Sequence, residues 1–160
     1  MLNIDVLCVG KIKERYLRDA IDEYSKRLSR YCKLRIIEVA DEKTPDNAST
    51  AQEEQIKAKE GERLSKHIHD GAYMIALAIE GKMLSSPALA NRLNALALQG
   101  SSHIQLVIGG SLGIDASILK QADMLLSFSP MTFPHQLMRV ILLEQVYRAF
   151  KINAHEPYHK

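Results

Sequence analysis

Five short apolar runs rich in β-branched residues recur along the chain, and nearly every gap between them holds a segment of helical periodicity. The runs are residues 2–9 (LNIDVLCV), 33–40 (KLRIIEVA), 73–80 (YMIALAIE), 104–108 (IQLVI) and 124–128 (MLLSF). Each is short, and several are apolar almost throughout, as buried strands are. Between the first two, Tyr16, Leu17, Ile21, Tyr24, Leu28 and Tyr31 fall at helical spacing and predict a helix over 14–31. Residues 51–69 are strongly charged, with Ile56, Leu64 and Ile68 as sparse anchors, and read as an exposed helix. Ser86 as a cap with Pro87 at the first helical position opens a helix that Leu89, Leu93 and Leu96 continue to Gly100. Asp115 can cap a short helix, and residues 135–150 form a strong one before the tail KINAHEPYHK. Strands alternating with helices predict an α/β fold, a parallel-type sheet covered by helices.

A chain of 160 residues suits a single domain spanning 1–160, and 46% hydrophobic residues suffice for a core without metal or disulfide staples. Cys8 and Cys32 form no CxxC pair, and Cys8 lies in an apolar run, where a buried free thiol is expected. No run reaches transmembrane length. Asp5 interrupts the first apolar run and the charges follow it, which is not a signal-peptide pattern, so a cytoplasmic location is the expectation. The net charge of +2 conceals a partition: residues 1–40 carry nine Lys/Arg against six Asp/Glu, 41–80 five against nine, and 81–160 seven against four. An anionic partner would meet the first and last parts; a mixed solvated surface fits equally well.

Three turn-rich segments follow successive strands in the C-terminal half: EGKMLSS, GGSLG and SPMTFPH. Ligands of open parallel sheets bind beyond the carboxyl ends of strands, so these loops predict one cleft. GGSLG is neither GxGxxG nor a P-loop, but Gly109, Gly110 and Gly113 would allow a sharp turn or a close approach of backbone to ligand. The histidines give no metal spacing: His67 and His69 face apart on a helix, His155 and His159 lie in the tail, and His103 reads as a surface loop residue. Glu144 and Arg148 are four apart on the last helix and can form a structural pair; alternatively Arg139 and Arg148 hold phosphate. The last helix is apolar on several sides, Leu137, Val140 and Ile141 on one and Met138, Leu142 and Val146 on others. It is either a core helix or one that buries a second side against another copy, with Met138 and Leu142 as outward positions.

The block LSFSPMTFPHQLMRVILLEQVYRAFKINAHEPYHK, with VIGGSLG and IEGKMLSS, closely resembles the ribosomal large-subunit pseudouridine methyltransferase H family, part of the SPOUT superfamily. The resemblance runs from LCVGKIKERY to the final YHK, and TFPHQ, EQVYRAF and PYHK are its most specific elements. It implies a SPOUT fold whose C-terminal part threads a deep trefoil knot, and an obligate homodimer. It implies methyl transfer from S-adenosylmethionine to N3 of a pseudouridine in helix 69 of 23S rRNA, on the assembled ribosome. It implies no metal, no DNA and no membrane partner. Carried onto this chain, the cofactor would be held by Leu77, Gly109, Phe128, Ser129, Pro130, Met131, Thr132 and Phe133. Pro130 stands where close relatives often carry a basic residue. Arg148, Tyr158 and His159 would handle the substrate, His159 as base and Arg148 as stabiliser of the developing anion. Two rival readings are a SPOUT methyltransferase with another target nucleotide and a ribosome-associated binding protein without transfer.

Overall fold

The computed structural model describes residues 1–160. Its elements run β1 (Leu2–Val9), α1 (Arg15–Leu28), β2 (Cys32–Val39), α2 (Thr50–Ser65), β3 (Tyr73–Met83), α3 (Ser86–Leu98), β4 (His103–Ile108), α4 (Ala116–Gln121), β5 (Met124–Ser127) and α5 (His135–Asn153). The five strands form one sheet in the order β2-β1-β4-β3-β5, and every pairing is parallel. The central strands β1 and β4 are buried almost end to end, which is why their sequences run apolar instead of alternating. Helices α1, α3 and α5 cover one face through Leu17, Ile21, Leu89, Leu93, Leu142 and Leu143. Helices α2 and α4 cover the other through Leu64 and Ile118, with Ile114 just before α4. The expected α/β architecture of a parallel sheet between helical layers is therefore the observed one. Cys8 and Cys32 are buried free thiols, and burial pushes both up to about 11. No helix is long and apolar enough to cross a membrane.

Several local expectations are corrected. The third strand continues through Gly81 and Lys82, which had read as loop, because the chain bulges: Leu77 and Lys82 both pair with Leu126 of β5. The cap of α3 is Ser85, whose side chain accepts from the Ala88 amide at 3.1 Å; Ser86 already lies inside the helix. The second helix stops at Ser65, short of Ile68. Helix α5 takes in the start of the presumed tail, ending at Asn153.

Buried charge explains two further corrections, and core packing a third. His103 is no surface loop residue; it begins β4, and its Nε2 lies 2.6 Å from Asp5 Oδ2. Arg139 is 1% exposed and cannot hold phosphate. It donates to Glu38 at 2.6 Å and to the carbonyls of Val9 and Gly10 at 2.8 and 2.7 Å, clamping α5 to the ends of β1 and β2. Met138 and Leu142 point inward, at 8% and 0% exposure. The outward apolar side of α5 is Leu137, Val140 and Ile141, exposed or half-buried.

Candidate active site

The strand order sets the carboxyl ends of β4, β3 and β5 side by side. Strands β3 and β5 lead into helices on one face of the sheet, whereas β4 leads into α4 on the other. Adjacent chain exits diverging to opposite faces leave a crevice at the strand ends. On β4 the crevice is walled by a tight turn in which the Gly113 amide donates to the Gly110 carbonyl at 3.1 Å. Gly113 has φ +96, in the left-handed region. A Cβ on Gly109 would lie 2.5 Å from the Gly113 carbonyl carbon, so this glycine is required by the fold-back of the turn itself. Behind the turn sits the buried Glu60, whose carboxyl burial raises above the usual range.

On the β3 side the bulge carries Ala78 to Gly81 out of the ladder and leaves Leu77 half-buried at its root. On the β5 side, Ser127 donates to the Ser129 carbonyl at 3.3 Å, and the Ser129 hydroxyl accepts from the Met131 amide at 3.0 Å. These bonds shape the start of the 128–134 loop, whose Met131 and Phe133 stand exposed. A cleft of about 160 Å³ opens between the β3 and β5 ends and α5, lined by Leu84, Ser85, Leu126, Ser127, Phe128 and Gln145 among others. A larger recess of about 440 Å³ lies at the opposite edge of the sheet, between α1 and β2. Its lining holds no carboxylate and no histidine, so it lacks the convergent polar groups of a reaction site.

The second half of the site is built on α5. Arg148 donates to both oxygens of Glu144, at 2.8 and 3.3 Å. The Tyr158 hydroxyl donates to the same carboxylate at 2.7 Å. The Arg148 guanidinium lies 4.6 Å from the Tyr158 ring centre, and Tyr147 meets that ring edge-on at 5.0 Å. Arg148 Nη1 is 3.1 Å from His159 Nδ1. Because an arginine only donates, His159 accepts through Nδ1 and carries its proton on Nε2. Burial raises the Glu144 carboxyl, but the bonds from Arg148 and Tyr158 outweigh it and hold the group below the ordinary value. Burial and the bond to Glu144 push the Tyr158 phenol up to about 12, which keeps it a neutral donor.

The tail is folded back, not frayed. His155 adopts φ 55, Glu156 accepts from Tyr31 at 2.8 Å and from Lys151 at 3.1 Å, and Pro157 and His159 form a bridge. The two halves of the site are joined by Gln145: Ser86 donates to its Oε1 at 2.7 Å, and its Nε2 donates to Glu144 at 3.2 Å.

Residues 2–159 match the family model described as "Predicted SPOUT methyltransferase". The chain belongs to the SPOUT methyltransferase family. It is 72% identical over 159 residues to the ribosomal RNA large subunit methyltransferase H of Bifidobacterium adolescentis, covering 99% of this chain and 100% of that protein. It is 63% identical to the protein of the same name from Clostridium novyi, with the same coverage. In fold it is similar to the solved structure of "a probable methylase family protein" from Haemophilus influenzae Rd KW20, with TM-score 0.57 and 12% identity, over 98% of this chain and 70% of that one.

Within this SPOUT chain the residues singled out in the sequence fall into two groups. Gly109 and the 128–133 loop follow the ends of β4 and β5, and Leu77 stands on the neighbouring β3 at the root of its bulge, within the strand. Arg148, Tyr158 and His159 form one hydrogen-bonded and stacked cluster. Glu144 proves to be the hub of that cluster, beyond its role as partner of Arg148. Gln145 was missed. It reads as one more polar residue on a helix, and only the approach of α3 to α5 gives it Ser86 as a partner. No group of three or more His, Cys, Asp or Glu side chains is arranged to hold a metal ion.

Proposed function

We propose that the chain transfers a methyl group from S-adenosylmethionine to N3 of a pseudouridine in helix 69 of 23S rRNA, on the assembled ribosome, with residues 1–160 acting as one domain of a cytoplasmic homodimer. The observation that carries this reading is the Gln145 link. It couples a cleft at the strand ends to a proton-holding cluster on α5 and the tail. The relatives named above, 72% and 63% identical along their whole length, carry names that specify large-subunit ribosomal RNA.

The residues fit a nucleoside cofactor. Leu84, Leu126 and Phe128 give the cleft apolar walls. Leu77, half-buried at the root of the β3 bulge, and Gly109 lie outside that lining, and the backbone at Gly109 and at 128–133 is outside the ladder and can bond to polar edges. When bound, the cofactor supplies a methyl group already activated on a sulfonium. The cleft of about 160 Å³ is smaller than the roughly 300–1,000 Å³ usual for small-molecule sites. Its completion falls to the 128–134 loop and to a second copy seated on the exposed side of α5, where Leu137 joins Phe133 and Met131. The trefoil threading belongs to the same proposal. It accords with β5 pairing with the edge of β3 while α5 returns across α3 and α1.

The target N3–H is a weakly acidic imide, so the chain must take its proton. Glu144, held as a carboxylate, fixes Arg148 and Tyr158 and is a positioning residue. Arg148 presents positive charge where the imide anion develops. In the free chain the Nδ1 lone pair of His159 is engaged by Arg148. As Arg148 turns to the substrate oxygen, that lone pair is released to accept the N3 proton. Tyr158 offers a ring for stacking, not a base.

The test is transfer of tritiated methyl from S-adenosylmethionine to ribosomes, followed by mapping of the label. Label at N3 of a pseudouridine in helix 69 is expected. Label on another nucleotide would establish a different target, and no label on ribosomes that lack the modification would leave only a binding protein.

A further inference from the structure

Resting on that reading, we propose that the segment Lys11–Arg18, between β1 and the second turn of α1, is the surface that grips the RNA substrate beside the site. Lys11, Lys13, Arg15 and Arg18 are all exposed, and none pairs with a carboxylate. Arg27, Arg35, Arg63, Arg139, Arg148 and Lys151 each have an acidic partner within 4 Å, and among the other unpaired cations these four are set apart by lying together in one short segment. One acid, Glu14, interleaves with the four cations and Asp19 follows them, which leaves the segment net positive.

The placement of these charges works against the fold. Helix α1 has no acidic residue in its first turn; its cap, Glu14, makes no side-chain hydrogen bond and is a single carboxylate against Arg15 and Arg18 in that turn and Lys11 and Lys13 before it. Positive charge at the positive end of a helix dipole is unfavourable unless an anion meets it. Helix α2 shows the ordinary solution, a Ser49–Gln52 capping box with Glu53 behind it.

A second observation points to the kind of anion. Tyr16, in the middle of the segment, is 71% exposed, and its ring has no aromatic, cationic or hydrogen-bonded partner in the chain. It stands there because α1 buries only its Leu17 and Ile21 side. Cations spaced around a free aromatic ring match a flexible RNA strand, the cations meeting phosphates and the ring a splayed base. The segment also adjoins the site. Gln136, in the first turn of α5, donates to the Lys11 carbonyl at 3.3 Å, directly after the 128–134 loop.

The experiment compares the wild type with a quadruple variant, Lys11→Ala, Lys13→Ala, Arg15→Ala and Arg18→Ala, with Tyr16→Ala, and with a control double variant, Lys66→Ala and Lys120→Ala. The control residues lie at α2 and α4, on the other face of the sheet. Binding is read by anisotropy of a fluorescein-labelled helix 69 stem-loop RNA across a salt series, and activity by methylation of ribosomes. Four lost phosphate contacts should flatten the log–log salt dependence by about 3. The KM for ribosomes should rise more than about tenfold, with kcat within about twofold and cofactor affinity unchanged. Tyr16→Ala should weaken RNA binding about tenfold without changing the salt slope. The control should match the wild type.

An unchanged salt slope and KM in the quadruple variant would overturn the proposal. So would loss of the dimer in sedimentation with RNA binding intact, which would give this face to a second copy. Because stem-loop binding is measured without methyl transfer, a wild type that binds RNA through this segment but transfers nothing would refute the enzymatic reading and leave the surface standing.

Discussion

Removing residues 157–160 tests whether the tail is an appendage or part of the fold. A polar, proline-containing terminus is expected from sequence to be dispensable for stability. The structure assigns it specific contacts. Deletion takes away the Tyr158 hydroxyl bond to the Glu144 carboxylate at 2.7 Å, the edge-on contact with Tyr147 at 5.0 Å and the stacking of Arg148 at 4.6 Å. A hydrogen bond to a charged group contributes about 1.5–3 kcal/mol, an aromatic pair about 0.5–1.5 and an exposed cation–π contact about 0.5–1. Tyr158 is only half-buried, so the low ends of these ranges apply, giving a loss of about 2–3 kcal/mol. For a chain of this size that lowers Tm by about 4–12 °C. Tyr158→Phe, which keeps the ring, should cost about half as much. Thermal denaturation at neutral pH measures both, and methyl transfer to ribosomes should fall more than about a hundredfold in the deletion while calorimetry shows cofactor binding retained. A deletion whose Tm stays within about 2 °C of wild type would refute the contact reasoning. One that still methylated at the wild-type rate would remove Tyr158 and His159 from the mechanism.

Burial raises the Asp5 carboxyl, but bonds from Arg35, His103 and Gln105 outweigh it and bring it down to about 2 from 3.8. This stabilisation is present above the unfolded value and lost as pH falls towards 2, so Asp5→Asn should cost about 2 kcal/mol at pH 7 by urea denaturation, with the gap closing below about pH 4. A gap independent of pH would show that the network contributes packing only. Gly109→Ala should destabilise the chain and loosen the 109–113 turn, since the new methyl meets the Gly113 backbone at 2.5 Å; limited proteolysis at the turn should accelerate together with loss of cofactor binding. Leu137→Glu with Ile141→Glu should yield folded monomers by analytical ultracentrifugation, whereas Leu142→Glu, at a fully buried position, should prevent folding. A dimeric Leu137/Ile141 variant would move the interface elsewhere.

The sequence by itself determined the number, kind and order of the elements, because burial on one or both sides imposes a period that a local window records. All five strands, the amphipathic α1 and the cap at Asp115 are of this type. The turn-rich segments after β4 and β5 were legible as strand ends, whereas the start of EGKMLSS proved to belong to β3. Tertiary structure alone decided which charges are structural. Arg139 meets Glu38 101 residues away, and His103 meets Asp5 98 residues away. No local pattern distinguishes such a buried pair from two solvated charges. The bulge between Leu77 and Lys82 depends on the register with β5, and the requirement at Gly109 on where the turn brings Gly113. The direction faced by Met138 and Leu142 was fixed only when α5 found α1 and α3, since a helix apolar on several sides does not itself say which side meets the core. Gln145 joins the cleft to Glu144 for the same reason: its neighbour Glu144 precedes it on α5, but its other partner, Ser86, lies on α3, and a side chain's chemistry is set by what packing places within hydrogen-bonding reach.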